Sequence, residues 1–219
     1  MNRVSMTVPL GEVDLAADVF LPDHAKGLVL FAHGSGSSRH SPRNLHVADV
    51  LNRGSIGTLL IDLLTQEEEA IDLRTAEFRF DIPLLGRRVV AITDWIGGQT
   101  SLKNLGLGYF GASTGAAAAL AAAAQRQNIV RAVVSRGGRP DLAGSALKRV
   151  LAPTLFIVGQ QDEVVLKLNN EAMKQLPRGT KHKLEIIAGA THLFEEPGAL
   201  DQVAALASDW FREHLSPNT

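Results

Sequence analysis

The stretch Leu105–Gly115, Leu-Gly-Leu-Gly-Tyr-Phe-Gly-Ala-Ser-Thr-Gly, leaves this chain little freedom in how it folds. An apolar run, Leu105 to Phe110, enters Gly111-Ala112-Ser113-Thr114-Gly115, and an alanine-rich segment, Ala116–Ala124, follows at once. Strand, sharp G-x-S-x-G turn and helix in that order make a nucleophile elbow. The turn strains the serine backbone, so the residues on either side must be small. The helix begins directly behind the serine, where its unpaired N–H groups and positive dipole end favour an oxyanion. A bare G-x-S-x-G is short enough to arise by chance; its place between strand and helix is what singles this one out.

The chain has 219 residues, 45% of them hydrophobic, enough for one well-buried domain over 1–219 and short for two. A formal net charge of -1 points away from nucleic acid and anionic membrane surfaces. The absence of cysteine excludes a thiol nucleophile, a disulfide framework and thiolate metal sites. Met1–Pro9 lacks the basic region and apolar core of a signal peptide, and no apolar run reaches the ~18 residues of a membrane span. A cytoplasmic protein is the expectation.

Strand and helix signals alternate along the chain. Val4–Pro9 and Val13–Leu21 read as an antiparallel hairpin at a sheet edge. Gly27–Ala32, Ile56–Leu64, Ile129–Ser135 and Pro153–Gly159 are continuous apolar runs, the mark of strands covered on both faces; Lys183–Ala188 reads as the last strand. Pro42–Arg53, Ile82–Ile96, Val164–Leu176 and Leu200–Phe211 carry apolar residues at helical spacing. The polar segment Thr65–Phe80 reads as a surface loop or a flap, with Glu67–Glu69 a solvated turn. This alternation predicts an α/β fold, a mostly parallel central sheet with helices on both faces.

Ligands bind such sheets beyond the carboxyl ends of the strands. The residues at those ends are His33-Gly34-Ser35-Gly36-Ser37-Ser38, Ser113, Arg136, Asp162 and His192. Ser113, Asp162 and His192 follow the order nucleophile, acid, base. Each has a plainer reading. Asp162 suits the N-cap of the helix behind it, with Glu163 the competing acid, and His192 could be a packed loop histidine. Arg136 and Arg139 either clamp a substrate carboxylate or phosphate or pair with Asp141 or Glu195 to brace loops. His33, His40 and His46 lack metal-ligand spacing, so no metal or cofactor is expected; His33 reads as a brace for the glycine loop.

Gly106-Leu-Gly108-Tyr-Phe-Gly111 matches G-x-G-x-x-G letter for letter. A dinucleotide site needs those glycines between strand and helix, with an acid about twenty residues on. Here two lie inside the apolar run and position 131 is Arg, so the match reads as accidental.

The set His33–Arg39, Gly111–Gly115, Asp162 and Thr191-His192 resembles the α/β-hydrolase fold. The short layout, without a large cap domain, resembles the dienelactone hydrolase family. Phe80-Asp-Ile-Pro-Leu-Leu, Ser135-Arg-Gly-Gly-Arg-Pro-Asp-Leu and Thr191-His-Leu-Phe-Glu-Glu-Pro-Gly are similar to a subgroup of small hydrolases sometimes fused to phosphoribosyltransferase domains. Dienelactone hydrolase has cysteine at the nucleophile where this chain has Ser113. The resemblance implies a serine hydrolase of carboxylic esters or lactones, working through Ser113, Asp162 and His192 and an acyl-enzyme. Its oxyanion hole would be the backbone N–H groups of Thr114 and Ser35, with Gly36 second, and Arg136 and Arg139 would face substrate. The alternatives are a catalytically silent binding or regulatory module, or a partner domain for a phosphoribosyltransferase. A homodimer through the edge hairpin or the terminal helix is compatible with the sequence.

Overall fold

The continuous apolar runs become strands buried at every position except Arg131, while the first hairpin and the last strand lie at the two sides of the sheet. A computed structural model describes residues 3–215; the single-domain expectation for 1–219 and the reading of Met1–Pro9 extend to Met1, Asn2 and 216–219, which lie outside the described residues. In chain order the elements are β1 (Val4–Pro9), β2 (Asp14–Phe20), β3 (Leu28–Ala32), α1 (Pro42–Arg53), β4 (Gly57–Ile61), α2 (Gln66–Thr75) and α3 (Ile82–Gly98). There follow β5 (Leu107–Ala112), α4 (Thr114–Ala123), β6 (Val130–Arg136), a 3₁₀ stretch Pro140–Arg149, β7 (Thr154–Gly159), α5 (Glu163–Met173), β8 (His182–Ile187) and α6 (Ala199–Leu215).

The sheet has eight strands in the order β1-β2-β4-β3-β5-β6-β7-β8. The first hairpin pairs antiparallel with itself and with β4; every other pairing is parallel. One core layer packs α3, α4 and α5 on the sheet through Leu85, Val89, Ile92, Leu120 and Ala172. The other packs α1 and α6 on the opposite face through Val47, Leu51, Val203, Phe211 and Leu215. This is the α/β-hydrolase architecture, and no large cap interrupts it among the described residues. The parallel strands all end on one edge of the sheet, which gathers the loops after β3, β4, β5, β6, β7 and β8.

The G-x-G-x-x-G match is explained by packing. A Cβ on Gly108 would come within 2.7 Å of the Phe211 ring, and one on Gly106 within 2.4 Å of the Leu215 carbonyl oxygen. Both glycines admit α6 to the sheet, so they serve the core and not a phosphate.

The structure corrects one expectation. Within Thr65–Phe80, Gln66–Thr75 is not loop but the helix α2, and only Ala76–Phe80 is irregular. The Thr65 hydroxyl accepts the Glu68 N–H while the Glu68 carboxylate accepts the Thr65 N–H, a reciprocal capping box. The acidic run Glu67–Glu69 is the first turn of that helix, where negative charge suits the dipole.

Candidate active site

Ser113 sits at φ 50°, ψ −121°, left-handed backbone that costs a non-glycine residue about 1–3 kcal/mol. Its surroundings hold it there. The Ser113 N–H donates to the Arg136 carbonyl at 3.1 Å, and the Ser113 carbonyl accepts the Arg139 and Ala116 N–H groups at 3.0 and 3.2 Å. A Cβ on Gly111 would fall 2.4 Å from Ala116 Cα, and one on Gly115 only 2.2 Å from the Ala32 carbonyl oxygen. The sequence argument for small flanking residues is thus met at both positions. α4 starts at Thr114, immediately behind the serine.

Asp162 occupies the N-cap position of α5 but its side chain makes no cap hydrogen bond. Its Oδ2 lies instead 2.6 Å from His192 Nδ1. A carboxylate only accepts, so Nδ1 carries the proton of this bond. Glu163, the competing acid, points into solvent in the first turn of α5. His192 and Ser113 border the same turn: a Cβ on Gly137 would lie 3.5 Å from His192 Cε1, one residue beyond the Arg136 carbonyl that holds Ser113. Among the described residues the Ser113 hydroxyl and His192 Nε2 share no hydrogen bond; such contacts are often long before substrate binds.

The loop after β3 closes on the elbow from the other side, where a Cβ on Gly34 would meet Ser113 Cβ at 3.0 Å. His33 braces this loop. Its Nε2 accepts the Leu63 N–H at 3.0 Å, so Nδ1 carries the proton and donates to the Gly34 carbonyl at 2.9 Å. Burial pushes the imidazole below its ordinary value, against the Gly34 bond and the charges of Asp62 and Glu69. The Ser35 N–H donates to Thr114 Oγ1 at 2.9 Å, and Gly36 follows with φ +66°.

Beside this loop and Thr114 opens a cleft walled by Leu63, Leu64, Leu73, Leu85, Asp72 and Arg79. Sequence reasoning missed its outer wall, α2, although Thr65-Gln-Glu-Glu68 spells a capping box. The helix is tied down at both ends. Buried Arg88 of α3 grips the Glu68 carboxylate with both terminal nitrogens and donates to the Leu63 carbonyl at 2.6 Å. Asp72 accepts the Phe78 and Arg79 N–H groups and the Arg79 side chain at 2.8–2.9 Å.

The two arginines after β6 part company. Arg139 forms a two-pronged ion pair with Asp141 at 2.8 and 2.9 Å, the bracing alternative. Arg136 does not: Glu195 pairs with Arg43 instead, at 3.3 Å. The Arg136 side chain is buried, and its Nε and Nη1 find no hydrogen-bond partner among the described residues. Burial, with the like charge of Arg43 nearby, pushes its guanidinium down to about 10.

A model of the dienelactone hydrolase family matches residues 61–216. The chain belongs to that family. A dienelactone hydrolase from Anabaena variabilis has 57% identical sequence and a TM-score of 0.95, with 98% of each chain covered. Est1E from Butyrivibrio proteoclasticus, 17% identical with a TM-score of 0.78 over 95% of this chain and 98% of that one, shares the fold. Two Mycobacterium tuberculosis proteins provisionally described as phosphoribosyl transferases are 55% identical over 208 residues, which are 95% of this chain and 46% of theirs. The chain therefore spans about half the length of the curated relatives it matches. The region 61–216 that matches the family model contains Ser113, Asp162 and His192.

Proposed function

We propose that this protein is a serine hydrolase of carboxylic esters or lactones, working through Ser113, His192 and Asp162. The observation that carries the reading is the Asp162 carboxylate, which leaves the cap of its own helix and bonds His192 at 2.6 Å. Neutral His192 removes the proton from Ser113 Oγ as the oxygen attacks the ester carbonyl. Asp162 holds the tautomer and stabilises the imidazolium. The tetrahedral intermediate collapses, His192 protonates the leaving alcohol, and an acyl group remains on Ser113. Water, deprotonated by His192, then attacks the acyl carbon, and the proton returns to Ser113 Oγ as the acid leaves.

The oxyanion is held by the Thr114 N–H at the start of α4 and by an N–H of the glycine loop. Ser35 supplies the second donor when the Thr114 hydroxyl yields it, with Gly36 next in line. Such donors are worth about 3–4 kcal/mol each in related chemistry. Arg139, engaged by Asp141, acts on the elbow through its backbone bond to Ser113 and not on substrate. The cleft beside Thr114 takes the apolar part of a small or exposed ester.

Treatment with a fluorophosphonate probe followed by intact-mass analysis tests the assignment. One adduct on wild type and none on Ser113→Ala is the expected result, with slower labelling of His192→Ala. Labelling of Ser113→Ala at the wild-type rate would sink it. The doubled length of the phosphoribosyl transferase relatives favours a second reading, a silent module serving such a domain. An unlabelled wild type that binds a phosphoribosyltransferase would support that reading.

A further inference from the structure

Thr114 is the one polar side chain in α4, whose other residues are alanine, glycine and leucine. It is 3% exposed, and a buried hydroxyl costs stability unless it is hydrogen-bonded. Alanine would suit the helix better on both counts. What the hydroxyl does follows from where the helix starts. Gly115 lets α4 lie against the end of β3, since a Cβ there would fall 2.2 Å from the Ala32 carbonyl oxygen and 2.4 Å from that of His33. That approach carries Thr114 Oγ1 to the glycine loop, where it accepts the Ser35 N–H at 2.9 Å.

The proton of that hydroxyl is left over. Inside a helix, threonine commonly donates it to the carbonyl one turn back. Thr114 opens α4, so the chain behind it is the elbow and β5, with no helical turn to donate to. Among the described residues the hydroxyl finds no acceptor, and the side chain lines the cleft beside the loop. The result is a short relay: the Ser35 N–H points at the hydroxyl oxygen, and the hydroxyl proton is free to point at the cleft. A donor that itself accepts a hydrogen bond is polarised and donates more strongly. Bracing the loop would use only the accepting half of this group.

We infer that the Thr114 hydroxyl is a catalytic residue, a side-chain donor to the oxyanion beside the backbone N–H of the same residue. As Ser113 Oγ adds to the ester, the carbonyl oxygen takes up the electron pair and becomes the stronger acceptor. The Ser35 N–H turns toward it from the hydroxyl oxygen, and the hydroxyl, released, donates to the same oxygen. No covalent bond breaks in this exchange and no proton changes owner. Until then the hydroxyl oxygen stands in for the oxyanion and keeps the Ser35 N–H oriented, so that little reorganisation is left for the moment of reaction. The inference rests on the hydrolase reading above.

Turnover of 4-nitrophenyl butanoate, and its inhibition by the trifluoromethyl ketone with the same propyl chain, are measured for wild type, Thr114→Ala, Thr114→Val and Thr114→Ser. The ketone carbonyl is attacked by Ser113 Oγ, whose proton passes to His192, and the adduct keeps an oxyanion where the tetrahedral intermediate has one. Thr114→Ala removes the hydroxyl and leaves the Ser35 N–H unobstructed. Its kcat is expected to fall about 10²-fold with KM within about twofold, and its affinity for the ketone to fall by about the same factor as kcat. Thr114→Ser restores the hydroxyl and is expected to recover most of the lost kcat. If Thr114→Ala fails to fold, the isosteric Thr114→Val decides, with the same loss expected. A variant lacking the hydroxyl that matches or exceeds wild type overturns the inference, because the group then only occupied the Ser35 N–H. A raised KM at unchanged kcat overturns it too, as the mark of an unbraced loop where that loop lines the cleft. So does a serine variant as slow as the alanine one. A wild type that hydrolyses no ester and takes no fluorophosphonate overturns the hydrolase reading, and this inference with it.

Discussion

A residue at the end of a strand answers to two masters, the local backbone and the chemistry above it. Asp162 shows which one won. Aspartate is a favoured N-cap and α5 begins right after it, yet its side chain leaves the cap empty and takes His192. That choice makes the residue separable from the fold. Asp162→Asn keeps the shape but offers Nδ1 a donor where it needs an acceptor, so the imidazole flips to the wrong tautomer. We expect kcat on a small ester to fall by about 10³–10⁴-fold, with KM and Tm close to wild type. Steady-state kinetics beside thermal melts would check this, and retention of more than a tenth of kcat would remove Asp162 from the acid role. Ser113 could be read in the sequence because its requirements are local: Gly111 and Gly115 are small for reasons that five consecutive letters reveal. Arg136 could not be resolved the same way. Whether it found a carboxylate depended on where α1 and the loop after β8 put Arg43 and Glu195, a long-range matter that no spacing encodes.

At the scale of elements, α2 was illegible as a helix because it has almost no apolar stripe to announce it. Its sequence, Gln-Glu-Glu-Glu-Ala-Ile-Asp-Leu-Arg-Thr, buries only Asp72. Periodicity fails for a helix held by charge and capping instead of a core face. The capping box was there to be seen, but a polar stretch between two apolar runs resembles any loop. The same facts say how α2 can be loosened. Glu68→Gln keeps an acceptor for the Thr65 N–H but removes the charge that Arg88 grips from inside α3. Leaving Arg88 buried with half a partner should cost about 1–3 kcal/mol at neutral pH, measured by urea unfolding. The sign of its pH dependence follows from the Glu68 carboxyl, which Arg88 holds below its ordinary value. A carboxyl lowered in the folded state contributes stability above its unfolded value, lost as pH falls through the folded one. The gap between wild type and Glu68→Gln should therefore close as the solution is taken below about pH 4.5. A gap independent of pH would mean that shape and not charge secures the helix.

For the whole molecule, the mostly parallel sheet and its two helix layers were legible because covered strands write themselves as nearly unbroken apolar runs, whereas the strand order was not. The alanine-rich α4 belongs to the same logic: nearly every residue is buried, and small side chains let it lie close between sheet and α3. What joins the layers to the site is less visible. His33 follows β3 directly and ties two strand ends together, donating to its own loop at Gly34 and accepting from Leu63 just past β4. The bond from Leu63 needs the neutral ring, since a protonated Nε2 has no lone pair to accept it, and burial holds the pKa below that of a free histidine despite the Gly34 bond and the nearby Asp62 and Glu69. On acidification the unfolded chain takes this proton first. The stability His33 contributes is thus complete above about pH 6.5 and is lost as pH falls toward the lowered folded value. One proton limits the slope to about 1.4 kcal/mol per pH unit. We expect urea midpoints for wild type to decline between about pH 7 and 5, and a His33→Asn variant, which cannot charge, to lie lower at pH 7 but decline less steeply. The difference between the two curves isolates His33 from the other histidines, His192 included. Parallel curves would place the acid sensitivity elsewhere. Converging curves would mean that the glycine loop after β3 and the end of β4 are fastened by one buried, neutral imidazole, so that mild acid loosens this loop before the sheet beneath it.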